Sequence, residues 1–241
     1  MKKFLFAGIF ISLFAAGCKK DDPAPPPAPP ALYTNVAAGS SWQYRDTDTS
    51  STPAVTINTT LSTTRDTTAG GVSYHVYSNS LGENEYRTTV SASANQTDYV
   101  ELFDTNLDGG TPSYFAYVYL KDYAAVNTSW TQNTNVTLLG ALRPATILNT
   151  IKEKAIARTV NGIVYTDVIR VQSVISSNFT FTAPPPNPPL PISVSVNAIR
   201  DAYYARRFGL IESSATQSIS ATGFPSQTGA ASRLLLSADL K

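Results

Sequence analysis

The sequence predicts an all-β protein whose body is one antiparallel domain of about ten to twelve strands with few or no helices. Three observations point there. From Leu32 onward threonine, serine, valine and tyrosine dominate, and no segment keeps an apolar period of 3.6 residues for three turns. Such β-branched and aromatic side chains suit a pleated, half-buried surface. Val55, Ile57, Thr59 and Leu61 alternate with Thr56, Asn58 and Thr60, and Ile192, Val194, Val196 and Ala198 alternate with Ser193, Ser195 and Asn197. That pattern buries one side of a strand and wets the other, as antiparallel sheets commonly do. Finally, Asn161-Gly162 separates "EKAIARTV" from "IVYTDVIRVQSVI", and Asn-Gly tolerates the two positive φ angles of a type I′ hairpin turn.

The chain opens differently. Lys2 and Lys3 precede an apolar run, Phe4 to Phe14, and then the small residues Ala15, Ala16 and Gly17. Charge, apolar stretch and small residues in that order form a secretory signal over residues 1–17. This run of eleven residues, apolar except for Ser12, is too short to span a bilayer, which takes about 20. Cys18 follows at once and is the single cysteine of the chain. The stretch before it resembles a bacterial lipobox, with Ala15 where leucine is more usual, so Cys18 is expected to be the acylated first residue of the mature protein. With two or three acyl chains such an anchor is stable, whereas one chain holds only reversibly. Residues 18–31 then form the lipidated cysteine and a spacer, in which Pro23 to Pro30 ("PAPPPAPP") favours extended polyproline geometry.

Residues 32–241 make up the β-domain. Ala69-Gly70-Gly71 marks a turn before "VSYHVYS". A second proline cluster, Pro184 to Pro191, lies between strand-like segments and is expected to be an exposed excursion, since proline is barred from central strands. No fixed-length repeat and no internal linker divides the body.

The whole chain carries 18 basic and 17 acidic residues. Removal of residues 1–17 takes away Lys2 and Lys3 and leaves 16 against 17, a balance of −1. Without a basic excess, nucleic acid is not an expected partner. Acylation of Cys18 would leave no thiol for disulfides or thiolate metal sites.

Several segments, taken together and in order, resemble uncharacterised Bacteroidota surface and outer-membrane lipoproteins with a single antiparallel β-domain: "GSSWQY", "NTSW" at Asn127 to Trp130, "VNGIVYTDVIRV" at Val160 to Val171, "AYYARRFGLIES" at Ala202 to Ser213, and the closing "LLLSADLK". Arg206, Arg207 and Phe208 depart from the usual tyrosine segment. The resemblance implies a strongly curved sheet or half-open barrel. "KKDD" behind Cys18 likewise resembles the start of lipoproteins exported to the outer face of the outer membrane, so the implied location is the outer membrane, surface-exposed or facing the periplasm. The resemblance implies no activity.

Chemistry is sparse. One histidine, His75, rules out a multi-histidine zinc site, and no G-x-S-x-G elbow accompanies it. Neither G-x-G-x-x-G nor a phosphate loop is present. No catalytic residue is therefore assigned and no cofactor is expected, apart from a weak calcium candidate in "DTNLDGG". There Asp104, Asn106 and Asp108 alternate oxygen-bearing side chains and Gly109 takes the turn position, but Phe115 stands where a bidentate glutamate belongs. Glu83, Glu85, Asp98, Glu101, Asp122, Glu153, Asp167, Asp201 and Glu212 would have to supply a carboxylate pair for a hydrolase of extracellular polymers. Solvated strand faces and turns account for each of them, and no pair has an apolar setting in the sequence that would raise one carboxyl's pKa.

The aromatic stretch "SYFAYVYLKDY" presents Phe115, Tyr117 and Tyr119 on one side and Tyr114, Val118 and Leu120 on the other. One side serves the core; the other is covered by the same domain or meets a ligand or partner. Tyr114, Phe115, Tyr117, Tyr119 and Tyr123 are thus the candidate ligand-facing aromatics. The expected function is a membrane-anchored, non-enzymatic lipoprotein that binds an apolar or glycan ligand, or a partner protein, on a curved sheet. The alternatives are the carboxylate hydrolase and a structural surface-assembly subunit.

Overall fold

The computed structural model describes residues 31–50, 52–106, 108–182 and 191–241. These residues form twelve strands: β1 (Ser41–Asp48), β2 (Val55–Ala69), β3 (Val72–Asn79), β4 (Asn84–Ser93), β5 (Gln96–Asp104), β6 (Tyr114–Lys121), β7 (Ser129–Leu138), β8 (Ala141–Val160), β9 (Ile163–Thr182), β10 (Pro191–Ala205), β11 (Gly209–Ala221) and β12 (Gln227–Asp239). No helix occurs among the described residues. The strands lie in one antiparallel sheet in the order β6-β5-β4-β3-β2-β1-β12-β11-β10-β9-β8-β7. Each strand therefore pairs with its sequence neighbour, except that β1 pairs with β12 and β6 does not pair with β7. The sheet curls until these two edges meet, giving a nearly closed barrel.

The expected turns are present. Asn161 and Gly162 (φ 48° and 77°) are the whole connection between β8 and β9, and Gly70 and Gly71 (φ 57° and 80°) join β2 to β3. Asparagine and glycine tolerate the positive φ angles of these primed turns, whose twist matches that of the strands.

Strand alternation assigns every connection to one of two ends. The β1–β2, β3–β4, β5–β6, β7–β8, β9–β10 and β11–β12 connections share one end, here the distal end. The remaining connections share the other with the start of β1 and the end of β12. Residues 31–40 lie at this second end, where the β10–β11 turn holds them: Arg207 N–H donates to the Leu32 carbonyl (2.7 Å) and Arg206 Nη1 to the Ala31 carbonyl (2.7 Å). Here it is called the tether end.

Tyr33 enters the interior from the tether end and is 1% exposed. It packs in a cluster with Tyr99, Tyr119, Leu120, Ile147, Ile151, Ile169 and Tyr204, contributed by both halves of the sheet. Its N–H donates to the Tyr99 hydroxyl (3.0 Å) and its ring meets Tyr99 edge-on at 6.2 Å. Beside it Trp42, 3% exposed, donates from Nε1 to the Phe208 carbonyl (2.8 Å). Aromatic rings thus fill the tether end, and their polar tips find partners as buried tyrosine and tryptophan require.

β8 and β9 are 20 residues each, longer than their neighbours. Register breaks after Ile151 and positive φ at Ala155 and Asp167 (55° and 53°) bend their shared tip. The tip folds over the outside of β10 to β12. There Arg158 lies 4.0 Å above the Tyr203 ring and bonds both Glu212 oxygens at 2.8 Å, while Asn161 Nδ2 donates to the Leu236 carbonyl.

Candidate functional site: the barrel interior

The inward rows of the strands carry more than apolar side chains. On β10 the row Val194, Val196, Ala198 continues to Arg200, Ala202 and Tyr204. Residues β1 Asp46, β4 Glu85 and Arg87, β5 Glu101 and β12 Arg233 face the same interior. Arg233 crosses it, donating to Asp46 Oδ1 (2.6 Å) and to Glu85 Oε1 (3.1 Å), so β1, β4 and β12 are joined through side chains. Arg87 donates to the other Glu85 oxygen. Asp46 also accepts from Thr59 Oγ1 (2.6 Å). Arg233 and Arg87 lie over the rings of Tyr44 and Tyr77, at 5.1 and 5.0 Å. Asp46, Arg233, Glu85 and Arg87 thus form a ladder of alternating charge in which every member has a partner.

Glu101 lies opposite Arg87 across the β4–β5 register and continues this ladder by charge, whereas Arg200 stands apart from it. Glu101 lies opposite Tyr117 across the β5–β6 register, and Arg200 lies opposite Ser173 across β9–β10. The Tyr117 hydroxyl ties these two walls together, donating to Asn149 Oδ1 (2.8 Å) and lying 3.0 Å from Ser173 Oγ. The charges of Glu101 and Arg200 act on each other. Among the described residues, however, neither makes a direct hydrogen bond or ion pair. Burial raises the Glu101 carboxyl above its ordinary value; Arg87 and Arg200 oppose this and Glu85 adds to it. Burial also acts upward on Glu85, but Arg87 and Arg233 outweigh it and hold that carboxyl below its ordinary value.

A cavity of about 510 Å³ lies on the outer parts of β10, β11 and β12, while one of about 500 Å³ opens on the inward side toward the distal end. Asp46, Asp48, Ile57, Arg200, Ala215 and Arg233 line the latter. Its size and its mixture of apolar floor and converging polar groups are those of small-ligand sites. Val55 and Ile57, on the alternating face the sequence predicts, remain 52% and 42% exposed here because they reach the mouth instead of the packed interior.

The five candidate aromatics separate. Tyr117 and Tyr119 are interior residues, 8% and 4% exposed, and Tyr119 packs on Tyr204 with ring centroids 5.2 Å apart. Phe115 is half-buried against the same cluster. Tyr114 and Tyr123 are exposed; Tyr114 meets Tyr86 edge-on and Tyr123 accepts from Lys121 Nζ. Both Tyr119 and its neighbour Leu120 are buried because the β5–β6 register shifts at Tyr99/Val100. This interrupts the strict two-sided alternation expected from the sequence.

The aspartates of "DTNLDGG" are not brought together around a common point. Asp104 Oδ1 accepts from the N–H of Asn106 (2.9 Å) and of Ser113 (3.0 Å). Asp108 reaches the β7–β8 turn and accepts from Leu139 N–H (2.9 Å) and Gly140 N–H (2.8 Å). Asn106 closes the loop onto the Thr111 carbonyl. Among the described residues no group of three or more histidine, cysteine or acidic side chains has metal-site geometry.

Most of the nine acids have structural partners. Asp201 and Glu153 hold Arg170, Asp98 holds Lys121, Asp122 accepts from Thr97 N–H and Tyr99, and Glu83 accepts from Asn79. Glu85 and Glu101 are the departure from the solvated-face expectation, because both enter the interior. His75 is partly covered and pairs with Asp66 at 2.7 Å. Sequence reasoning missed Arg200, although it lies two positions beyond Ala198 on the inward row and so interrupts an apolar face. Cys18, the signal over residues 1–17, the spacer to Pro30 and most of the Pro184–Pro191 cluster lie outside the described residues.

No protein-family model and no curated protein matches the sequence. Among solved structures, a crystal structure of a "putative lipoprotein" from Parabacteroides distasonis aligns with a TM-score of 0.44 and 10% identity, over 87% of this chain and 99% of that one.

Proposed function

We propose that this protein is an envelope lipoprotein, anchored through Cys18 at the outer membrane, that binds a glycan at the distal mouth of its barrel without turning it over. The observation that carries this reading is the position of the mouth cavity. It lies toward the end opposite Ala31, where the chain enters the barrel, while Tyr33 and Trp42 fill the tether end. An anchor at the tether end then leaves the cavity facing away from the membrane, toward soluble or surface-bound ligands. A carrier extracting acyl chains would need its opening at the bilayer.

Thermal melting of the full chain in detergent, with and without a panel of oligosaccharides, tests the reading. A raised midpoint with at least one glycan, and none with fatty acid or phospholipid monomers, is expected, because a ligand that binds only the folded state stabilises it. A shift with the lipids alone overturns it.

The hydrolase reading keeps one specific observation in its favour. Glu85 and Glu101 share the interior and their carboxyls are pushed in opposite directions, the pattern of an acid and base pair. Release of reducing ends from the bound glycan, abolished by Glu101→Gln, would make the protein an enzyme.

A further inference from the structure

The mouth cavity continues into a side recess. A smaller inward cavity of about 150 Å³ adjoins it and shares Asp48, Ala215 and Ala231 as lining, while Ala198 and Gln217 line the recess only. Gln217 lies between Ala198 on β10 and Gly229 on β12 in the paired registers, so it shares the inward face of Ala198. Glycine at 229 makes room for it: a Cβ there would stand 3.1 Å from both Gln217 Nε2 and Ser50 Cβ. The Gln217 amide has no hydrogen-bond partner among the described residues, so its donor and its acceptor both remain for a ligand. Liquid water takes about 30 Å³ per molecule, so the recess admits a group of about five heavy atoms. That is the size of a substituent, carried by a larger body seated in the main cavity.

Charges around the two cavities cancel, Asp46 and Asp48 against Arg200 and Arg233. Asp48 already accepts from the N–H and the hydroxyl of Ser50, and it repels an anion entering beside it. A purely apolar group would take water from the Gln217 amide without replacing its hydrogen bonds, which is costly. An acetamido group has neither fault. Its N–H and carbonyl complement a primary amide, its methyl meets Ala198, Ala215 and Ala231, and it carries no charge.

We propose that the mouth takes an N-acetylated amino sugar, its ring in the larger cavity and its acetamido group in the recess, paired with the Gln217 side-chain amide. This rests on the glycan-binding reading above and names the sugar class and the residue that selects it. Losing a pairing of two neutral hydrogen bonds weakens binding about tenfold or more.

The test is calorimetric titration of the full chain in detergent with diacetylchitobiose, cellobiose and the chitosan disaccharide. These share one linkage and differ in carrying an acetamido group, a hydroxyl or an ammonium at the same ring position. Diacetylchitobiose is expected to bind about tenfold or more tighter than the other two. Gln217→Leu should remove that preference, and Asn197→Ala, on the outer face of β10, should leave it unchanged. Gln217 is exposed at the mouth, so its replacement leaves the packed interior intact. Equal binding of cellobiose and diacetylchitobiose overturns the acetamido class but leaves glycan binding standing. Equal binding of the chitosan disaccharide shows that the acyl group is not read and overturns it too. A preference that survives Gln217→Leu overturns the assignment to Gln217, and binding of none of the three overturns the proposal together with the glycan reading for this linkage.

Discussion

Gln132 on β7 pairs its side-chain amide with the backbone of Val118 on β6, accepting from the Val118 N–H at 2.9 Å and donating to the Val118 carbonyl at 3.1 Å. A primary amide carries the same donor and acceptor as a peptide group. Gln132 therefore stands in for one rung of the ladder that β6 and β7 do not form. Trp130 Nε1 donates to the same carbonyl (2.9 Å), and farther along the seam Thr137 N–H reaches the Thr105 carbonyl (2.8 Å). The barrel is shut along this line by side chains and a loop, and elsewhere by continuous backbone pairing.

Gln132→Ala is expected to lower stability by about 1 kcal/mol, the net value of a hydrogen bond to a partly covered group. The same change should speed hydrogen exchange at the Val118 amide far more than at Ile169 in the paired half. Equal protection of Val118 in both proteins would show that Gln132 does not hold the seam.

Arg233→Met leaves Asp46 and Glu85 facing each other without their shared cation. Breaking a buried pair costs about 3–5 kcal/mol. Arg233 keeps 26% side-chain exposure, so about 2 kcal/mol is the expected loss in urea unfolding. Adding Asp46→Asn should restore part of it, because the two residues belong to one network. Strictly additive losses would contradict the ladder.

Acid should loosen the tether end through Asp167. Burial acts upward on this carboxyl, but hydrogen bonds from Arg206 and Tyr33 and the charges of Arg206 and Lys154 outweigh it and hold it below its ordinary value. A depressed carboxyl stabilises fully above its unfolded value of about 3.9, and the contribution disappears as pH falls through the lower folded value. Asp167→Asn keeps a side chain that tolerates φ 53° and should flatten the pH dependence of stability below pH about 4. Partial exposure limits the effect to about 1 kcal/mol or less. Identical acid unfolding profiles for the two proteins would remove Asp167 as the cause.

Metabolic labelling with palmitate should mark the wild-type chain and leave Cys18→Ala unmarked, with the variant appearing in the soluble envelope fraction. An unlabelled wild-type chain would remove the anchor, and with it the outward orientation of the mouth.

The strand content, the antiparallel pairing and two of the turns are legible in the sequence because each depends on residues close together in the chain. Side-chain period 2 reports a half-buried strand whichever sheet it joins, and Asn161-Gly162 selects its turn through the φ angles of those two residues. The inward placement of Ile192, Val194, Val196 and Ala198 follows in the same way.

The pairing of β1 with β12, the seam between β6 and β7, and the charged interior were decided only by tertiary structure. Alternation tells which residues share a face, but not whether that face meets water or the inside of a barrel. Glu85 and Glu101 therefore read as solvated acids until closure turned their face inward and brought Arg233 from the far end of the chain beside them. Tyr117 and Tyr119 are resolved by the same step. An aromatic row fits a core and a ligand surface equally well, and only the arrival of Asn149, Ser173 and Tyr204 across the interior places these two rings in the core.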